Sequence, residues 1–310
     1  MRYIIGEKDS NKTVKEILLC DIGISVSFLR HLKFIENGIL LNGEHATVRR
    51  RVECGDILDI ATEDEKLGSR LTPTECELDI IYEDDALVVP SKPANMPTHP
   101  SHDHHGDTLA DALAYRYKNG SSPFVFRPIN RLDRNTSGLT LIARNRISAA
   151  KLSASMRDGR IKKLYVAILD GVLESDEGVI EANVKRTAES IIVREVCPDS
   201  EGDYALTKYK VLCRSNTHTL VLASPETGRT HQLRVHFAHL GCAILGDDIY
   251  GRESDIIARH ALHAISLRFP HPSDDRECSL YAPLPMDMKK AVDLIFGEDA
   301  EAALAQNMLI

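Results

Sequence analysis

The stretch NRLDRNTSGLTLIARN, residues 130–145, places a charged segment directly before an apolar run. Gly138 and the hydroxyls of Thr136 and Ser137 are typical of a tight turn that feeds a strand, here LTLIAR. Asp133 is therefore expected on a loop just outside a sheet. It either caps this turn or serves as an ionised carboxylate held for chemistry, because a positioned carboxylate can act as a nucleophile.

The composition indicates a soluble globular protein. Of 310 residues, 43% are hydrophobic and 27% are charged. No apolar run approaches the roughly 20 residues that span a bilayer, and the apolar patch in MRYIIGEKDSN is too short for a signal peptide. Seven cysteines without a C-x-x-C pair favour a reducing compartment over disulfides or a zinc site. We therefore expect a cytoplasmic protein with no membrane partner.

The net charge of −8 argues at first against a nucleic-acid partner. The acidity is uneven, however, because residues 271–310 hold three basic and eight acidic residues. Local basic patches decide phosphate binding more than the total charge does. The rest of the chain is therefore still able to present a basic face that binds phosphate.

Two domains are predicted, over residues 1–70 and 76–310, with a linker around 61–75 and an acidic C-terminal tail. In the first domain, apolar spacing predicts two helices, and GILLNGE predicts a strand that enters a hairpin turn at Asn42–Gly43. Basic side chains on the second helix and after the hairpin are either candidates for phosphate contact or a solvated surface. These residues are Arg30, Lys33, Arg49, Arg50 and Arg51.

The second domain mixes strands and helices without a regular βαβ alternation. ELDIIYEDDALVVPSKP and TKYKVLCRSNTHTLVLASP each predict two strands, KLYVAIL predicts one strand, and residues 147–157 predict a helix. DTLADALAYRYK predicts a helix with Asp107 as its N-cap. THQLRVHFAHLG predicts a helix that ends at Gly241. These elements indicate an α+β fold rather than a doubly wound sheet.

The stretch ETGRTHQLRVHFAHLG, residues 226–241, concentrates polar donors where a loop enters a helix. Arg229, His231, Gln232 and Arg234 would lie near the helix N-terminus, which is a natural place to bind phosphate or carboxylate. A zinc site on the histidines is disfavoured, because no i, i+4 His pair and no H-E-x-x-H glutamate are present.

Two other histidine-rich stretches carry weaker predictions. HPSHDHHGD, residues 99–107, is interpreted as a polar loop before a helix rather than as a metal site. In ARHALHAISLRFPHP, residues 258–272, His263 is a candidate substrate contact or a satisfied core histidine. Ser-His-Asp hydrolysis and dinucleotide binding are disfavoured, because neither G-x-S-x-G nor a Gly-rich phosphate loop is present.

Several of these stretches resemble the RluA family of RNA pseudouridine synthases. The resemblance rests on RLDRNTSGLTLIAR, KKLYVAILDG, ETGRTHQLRVHFAHLGCAILGDDIYG and ALHAISLRFPHP in this order, and it covers about residues 78–290. It implies a pseudouridine synthase fold, with a mixed, largely antiparallel central sheet flanked by helices and loops. Residues 11–60 resemble the small alpha-L (S-four-like) RNA-binding domain, itself α+β, that often precedes this catalytic domain.

The resemblance implies a cofactor-free isomerisation, in which the glycosidic bond of an RNA uridine breaks and the base rejoins the ribose through its five-carbon. The essential aspartate of the family maps onto Asp133, and the tyrosine of the K-x-Y strand maps onto Tyr165. The arginine of G-R-T-H-Q maps onto Arg229, which is expected to pair with that aspartate. From the residues alone, Arg131 and Arg134 would keep Asp133 ionised and are candidates for RNA contact.

Elementary chemistry fits these roles. The uracil must be flipped out of the RNA and held by stacking, for which the Tyr165 ring is suited, and its hydroxyl would help to remove the proton from the five-carbon. Three routes stay open for Asp133: attack on the anomeric carbon, abstraction of a ribose proton, or addition to the base. His231, Gln232 and Arg234 are candidates for gripping the substrate strand.

Two departures from the family pattern concern the same region. Asn130 stands where the family usually has His before R-L-D, so this side chain donates a hydrogen bond but carries no charge. Asn95 stands in the K-P-x-G turn where Gly is common, and Asn tolerates the left-handed conformation. The chemistry is expected to survive both changes.

The leading interpretation is an RNA uridine isomerase that acts as a monomer, without metal or other cofactor, on large-subunit ribosomal RNA. A transfer-RNA uridine isomerase is the nearest alternative. A non-catalytic RNA-binding or ribosome-assembly protein would be favoured by loss of Asp133, Tyr165 or Arg229, and all three are present. A nucleoside hydrolase would need a second acid to activate water, and no motif supplies one.

Overall fold

The computed structural model of the protein describes residues 1–24, 26–61, 71–101, 104–120, 124–190, 192–297 and 299–308. Most of the predicted linker, residues 62–70, lies outside these ranges, and so does His102 of the histidine-rich loop. Within the described ranges, no helix is long and apolar enough to cross a membrane.

The N-terminal part builds a small sheet with short helices beside it. Its elements are β1 (Arg2–Ile4), a 3-10 turn (Glu7–Asp9), α1 (Val14–Glu16) continued by a π-helical segment (Ile17–Asp21), α2 (Val26–Leu32), β2 (Ile39–Leu41), β3 (Glu44–His45) and β4 (Ile57–Ile60). The strands pair antiparallel in the order β1–β4–β2–β3. Asn42 and Gly43 both have positive φ, which confirms the predicted hairpin turn.

A separate apolar core holds this N-terminal part together. Thr13 begins α1 with a capping box to Glu16, and the buried side chains of the helices pack on those of the sheet. Ile147, which lies far along the chain, joins the same cluster, and the Arg146 guanidinium lies 5.3 Å from the Phe28 ring centre. The N-terminal part therefore contacts the rest of the molecule near residues 146–147.

The larger part of the molecule is built on a mixed sheet of eleven strands. They are β5 (Asp79–Glu83), β6 (Leu87–Lys92), β7 (Arg127–Pro128), β8 (Ser137–Leu139), β9 (Ile142–Ala143), β10 (Lys162–Asp170), β11 (Glu177–Glu181), β14 (Leu206–Arg214), β15 (His218–Pro225), β16 (Leu262–Pro270) and β17 (Glu277–Tyr281). A separate hairpin contains β12 (Asn183–Arg186) and β13 (Arg194–Cys197).

The strand order explains which loops meet. The path runs β11–β14–β15–β10–β16–β8–β6–β9–β7, while β17 pairs with β16 and β5 pairs with β6. Among the described pairs, only β8 and β16 run parallel, so the predicted mixed, largely antiparallel sheet is confirmed. Tyr165 of β10 and Gly138 of β8 both pair with Ala264 of β16. The start of β10 therefore lies beside the loop that carries Asp133.

Helices cover this sheet: α3 (Leu109–Arg116), α4 (Arg146–Arg157), α5 (Gln232–His239), α6 (Met286–Phe296) and α7 (Asp299–Met308). Consecutive residues of β10 from Val166 to Leu169 are buried, because side chains that alternate between the two faces are covered on both. The predicted end of α5 is confirmed, since Gly241 has a positive φ just beyond it. The predicted N-cap of α3 is wrong by one residue, because Thr108 caps it in a box with Asp111.

Gly138 differs from its predicted role as a turn residue. It lies inside β8 with a φ of +110°, and a Cβ there would stand 2.2 Å from the Ala264 carbonyl oxygen. The glycine is therefore required by the close approach of two parallel backbones, which is a contact between residues 126 positions apart. This pairing fixes the strand directly after the Asp133 loop.

Candidate active site

A cleft of about 1020 Å³ opens beside the junction of β8, β10 and β16. Its walls come mainly from five segments: the loop after β6, the Asp133 loop, the end of α4, the start of β10, and the loop that enters α5. Most of the residues predicted for the site line it: Arg131, Asp133, Arg134, Tyr165, Arg229, His231, Gln232 and Arg234. Two distant sequence motifs and the K-x-Y strand are thus brought together.

The backbone on both sides of Asp133 is tied to the loop after β6. On one side, Thr98 Oγ1 donates a hydrogen bond to the Leu132 carbonyl over 2.8 Å. On the other side, the Arg134 carbonyl accepts a hydrogen bond from the fully buried Lys92 ammonium over 3.0 Å. Burial lowers the pKa of Lys92 to about 7, and the Asp133 carboxylate opposes this shift. These contacts leave the backbone at Asp133 little freedom.

The two asparagines that depart from the family pattern both support this region. Asn95 has a φ of 59°, so the predicted left-handed conformation is confirmed. Asn130 is buried, accepts a hydrogen bond from the Leu141 N–H over 2.7 Å and donates one to the Leu139 carbonyl over 3.3 Å. Asn130 therefore ties the start of the Asp133 loop to the strands that follow it.

The arginine beside Asp133 is Arg234, and the expected pairing with Arg229 is wrong. Arg234 Nη1 lies 3.6 Å from Asp133 Oδ2, whereas Arg229 donates to the Tyr204 carbonyl over 2.9 Å and lies 3.8 Å from Asp203. Arg229 precedes α5 and points along the rim. Arg234 lies inside the first turn of α5, and that turn directs its side chain inward.

Arg234 is itself held by a second carboxylate. Its Nε and Nη2 donate to the two oxygens of Asp247, each over 2.7 Å, and both side chains are almost fully buried. Burial disfavours the charged form of Asp247, but the hydrogen bonds from Arg234 and from the backbone of Ile249 and Tyr250 outweigh it and hold its pKa below the usual value. This buried pair orients the guanidinium toward Asp133.

Gln232 has a structural role instead of the RNA contact predicted for it. Its Oε1 accepts hydrogen bonds from the Thr227 hydroxyl over 2.7 Å and from the Arg229 N–H over 3.0 Å. Its Nε2 donates to the Leu206 carbonyl and to Thr207 Oγ1, each over 3.0 Å. With its amide fully used and 4% of its surface exposed, Gln232 fastens the loop before α5 to β14.

His263 also has a structural role, which was the alternative left open for it. It is a buried residue of β16, with its Nδ1 2.9 Å from Ser137 Oγ and its Nε2 3.2 Å from the Ala282 carbonyl. Burial lowers the pKa of His263 to about 4. The neighbouring His260 is 2.8 Å from Thr136 Oγ1, and burial lowers its pKa to about 3. Neutral histidines thus hold the hydroxyls that follow Asp133.

Tyr165 presents its phenol to the cleft. The side chain is 7% exposed, and no residue of the described ranges lies within hydrogen-bonding distance of its hydroxyl. Burial, and then the Asp133 carboxylate, raise the pKa of Tyr165 above its ordinary value. The phenol is therefore neutral in the resting protein, which suits stacking or hydrogen bonding and disfavours the predicted help in removing a proton.

Four cations at the cleft have no carboxylate within 4.0 Å among the residues that the structure describes. Arg131 and Arg134 are exposed on the Asp133 loop, and Arg157 is exposed at the end of α4. Lys163 is buried, its Nζ lies 3.3 Å from the Thr227 carbonyl, and burial lowers its pKa. Sequence reasoning missed Arg157 and Lys163, although Lys163 precedes Tyr165 by two residues on the same face of β10.

The basic residues predicted for RNA contact in the N-terminal part lie outside the lining of this cleft. All of them are exposed: Arg30, Lys33, Arg49, Arg50 and Arg51. Arg51 also donates to the Asn11 carbonyl over 2.5 Å, which gives it a structural role as well. The other four are available to a partner at the surface.

The histidine-rich loop forms ordinary protein contacts where it is described. His99 packs edge-on against Phe126 with ring centres 5.2 Å apart, and His104 Nδ1 lies 2.6 Å from Asp107 Oδ2. Across the described ranges, no group of three or more His, Cys, Asp or Glu side chains is placed to hold a metal ion.

Comparison with known proteins identifies what this arrangement is similar to. Residues 86–239 match the family described as RNA pseudouridylate synthase. A Bacillus subtilis protein named uncharacterized RNA pseudouridine synthase YjbO is 37% identical over 93% of this chain and 99% of its own length. Ribosomal large subunit pseudouridine synthase D of Zymomonas mobilis is 34% identical over 82% of this chain and 85% of its own.

A solved structure supports the same relationship. Human RNA Pseudouridylate Synthase Domain Containing 1 is 29% identical in sequence and superposes with a TM-score of 0.57. The match covers 67% of this chain and 84% of the human chain. The fold similarity therefore extends over most of the part that contains the cleft.

Proposed function

Because the chain belongs to the RluA family of RNA pseudouridine synthases, which are isomerases, we propose that it converts uridine to pseudouridine in large-subunit ribosomal RNA without a cofactor, using Asp133. Relatives named ribosomal large subunit pseudouridine synthase D support this RNA class. The observation that carries the role of Asp133 is its unfilled bonding: its carboxylate faces the cleft, 27% exposed, and the nearest side-chain nitrogens, Arg234 Nη1 and His231 Nε2, stay beyond 3.5 Å.

Binding is proposed to begin with the phosphates. A uridine inside structured RNA is reached only after it is flipped out of its stack, and the flanking backbone must be held while this happens. Arg131, Arg134, Arg157 and Lys163 are cations at the cleft without a protein carboxylate partner in the described ranges, which suits them to phosphate. Tyr165 then offers its ring to the flipped uracil as a stacking surface.

The isomerisation itself needs a carboxylate at one point. The bond between uracil N1 and ribose C1′ breaks, the base turns, and a bond forms between uracil C5 and C1′. The proton lost from C5 is balanced by one gained at N1. Attack by Asp133 on C1′, abstraction of a ribose proton and addition to the base all require this carboxylate ionised and aimed. Arg234, oriented by Asp247, lies beside this carboxylate and helps to aim it.

Tritium release tests this proposal. Ribosomal and transfer RNA transcripts carrying tritium at uridine C5 would be incubated with the protein in the presence of EDTA, and released tritium and free uracil would be counted. We expect tritium release from large-subunit ribosomal RNA alone, with no free uracil. Release from transfer RNA alone would move the substrate class, free uracil would indicate a hydrolase, and activity that EDTA abolishes and zinc restores would contradict the cofactor-free reaction.

A further inference from the structure

Tyr250 and His231 form a polar chain that ends at Asp133, and the reaction described above leaves both without a role. The Tyr250 hydroxyl oxygen accepts a hydrogen bond from the Arg194 N–H over 2.9 Å and lies 2.8 Å from His231 Nδ1. His231 Nε2 lies 3.9 Å from Asp133 Oδ2, and the His231 side chain is 10% exposed. These polar contacts lead from β13, by way of the N-cap of α5, to the cleft.

The hydrogen bonds of the Tyr250 hydroxyl indicate which tautomer His231 adopts. A phenol has one proton to donate, and the oxygen of Tyr250 already accepts from Arg194. Within the described ranges, His231 Nδ1 is the one acceptor within hydrogen-bonding distance of that hydroxyl. The phenol proton has a partner within the described ranges only when Nδ1 is unprotonated, and this arrangement places the proton of the neutral imidazole on Nε2, facing Asp133.

The surroundings keep the imidazole neutral. Burial is the main cause that lowers the pKa of His231; the Asp133 carboxylate opposes it, and two nearby guanidinium groups add to it. The Arg234 guanidinium also lies 5.1 Å from the Tyr250 ring centre, so a positive charge already stands beside this pair. The charged and titratable groups around the ring are Asp133, Arg194, Arg234, Asp247, Tyr250 and His260.

We propose that His231, with its tautomer fixed by Tyr250, is a positioning residue for Asp133. Its Nε2 and Arg234 Nη1 both approach the same carboxylate oxygen, Oδ2, at 3.9 and 3.6 Å. Donors at these distances in a free enzyme commonly close in to hydrogen-bonding range when the substrate is bound. Two donors on Oδ2 leave Oδ1 to face the uridine. This inference rests on the proposed function of Asp133.

The backbone at His231 makes a sharp test available. Its φ is +58°, a left-handed conformation that asparagine adopts more readily than glutamine does. A glutamine side chain is long enough to place an N–H near the position of Nε2, and an asparagine side chain is not. His231→Asn thus keeps the backbone and loses the donor, while His231→Gln keeps the donor and strains the backbone. If the Nε2 donor positions Asp133, the glutamine variant should be the more active one. If His231 serves only its backbone conformation, the asparagine variant should be the more active one.

Single-turnover tritium release and RNA affinity would be measured for both variants, with folding checked by urea unfolding. We expect His231→Asn to slow the reaction about 10²-fold and His231→Gln to stay within about fivefold of wild type, both with unchanged Kd, because the loss of one positioned donor acts on rate. An asparagine variant as fast as the glutamine variant would overturn the inference, as would a loss confined to Kd. Absence of release by wild type would instead contradict the proposed function.

The tautomer is measurable without any RNA. Nitrogen-15 labelling of histidine distinguishes a protonated Nε2 from a protonated Nδ1, and the His231 signals are assigned by their absence in His231→Gln. We expect wild type at pH 7.5 to show Nε2–H alone, and Tyr250→Phe to populate Nδ1–H as well. The proposed role of Tyr250 would be overturned if wild type showed Nδ1–H or a doubly protonated ring. It would also be overturned if Tyr250→Phe left the His231 signals unchanged.

Discussion

Asp133 and Asp247 face the same guanidinium from opposite sides and are treated in opposite ways. Asp247 is fully buried and makes two 2.7 Å hydrogen bonds to Arg234, with two backbone N–H groups completing its shell. Asp133 is partly exposed, its nearest contact to Arg234 is 3.6 Å, and it opens on the cleft. Arg234 thus contacts one carboxylate that accepts four hydrogen bonds and a second carboxylate that stays open to the cleft.

The difference separates a structural task from a chemical one. A buried carboxylate that already accepts four hydrogen bonds from the protein fixes its partner and is closed to a substrate. A carboxylate that is aimed yet underbonded can form a new bond, and the tight constraints on its neighbours keep it in place. The saturation of Asp247 is therefore what allows Asp133 to stay free, because Arg234 does not depend on Asp133 for its position.

Removing the charge of Asp247 should produce the largest effect on stability. Asp247→Asn leaves the buried Arg234 cation without its partner, so we expect a loss of about 3–5 kcal/mol in the free energy of unfolding. Asp248→Asn is the matched control, since Asp248 is 63% exposed and 3.8 Å from Arg234. We expect the control to lie within about 0.5 kcal/mol of wild type. Urea unfolding measures both, and equal losses would erase the distinction between the two carboxylates.

As the pH falls, the stability that the buried histidines near Asp133 contribute should be lost before the stability that Asp247 contributes. His260 and His263 have folded-state pKa values of about 3 and about 4, below the ordinary 6.5, so the unfolded chain binds more protons as the pH falls below 6.5. Stability is then lost progressively down to about pH 4 and pH 3. The pKa of Asp247 is also lowered, but from 3.8, so its contribution is lost only below about pH 4.

The lowered histidine pKa values predict how much unfolding free energy is lost at pH 5. Each neutral histidine should cost about 2 kcal/mol of unfolding free energy there relative to pH 7.5. Urea titrations at the two pH values would compare wild type with His260→Asn and with His239→Asn, an exposed control. The first substitution should remove about 2 kcal/mol of the pH-dependent loss, and the second should leave that loss intact. The same pH dependence in all three proteins would show that other groups drive acid unfolding.

Removing residues 1–70 should have the smallest effect on the chemistry. The N-terminal part has its own core and contacts the rest of the molecule near Ile147. Asp133, Arg234 and Asp247 all belong to the other part. We expect RNA affinity to weaken by about tenfold, through loss of basic contacts, with the single-turnover rate at saturating RNA unchanged. Circular dichroism would check folding, and an unfolded remainder would reject the domain boundary.

Local patterns in the sequence predicted the fold well where short-range physics decides. The turn at Asn42–Gly43, the end of α5 at Gly241 and the strand containing Tyr165 all follow from the backbone preferences or apolar spacing of a few neighbouring residues. The loop position of Asp133 was also predicted from its own stretch. These features need no knowledge of distant parts of the chain.

Partnerships across the fold were the part that the sequence did not reveal. Arg229 and Arg234 are five residues apart in one motif, and the boundary between the loop and α5, which falls between them, decides which of them faces Asp133. Gln232 was predicted to contact RNA, and His263 was left as either a substrate contact or a core histidine. In the structure, β14 and the residue after β17 take up hydrogen bonds of these two side chains. Asp247 and Tyr250 gave no local signal, since their roles exist only through Arg234 and His231.

The central claim is tested most directly by Asp133→Asn on the RNA that wild type modifies. Single-turnover tritium release, RNA affinity and urea unfolding would be measured side by side. The account predicts a rate at least about 10⁴-fold lower, with the Kd within about twofold and the unfolding free energy within about 0.5 kcal/mol of wild type. Tritium release at an undiminished rate, or an equal loss of rate and affinity, would contradict the assignment of Asp133 as the reacting carboxylate.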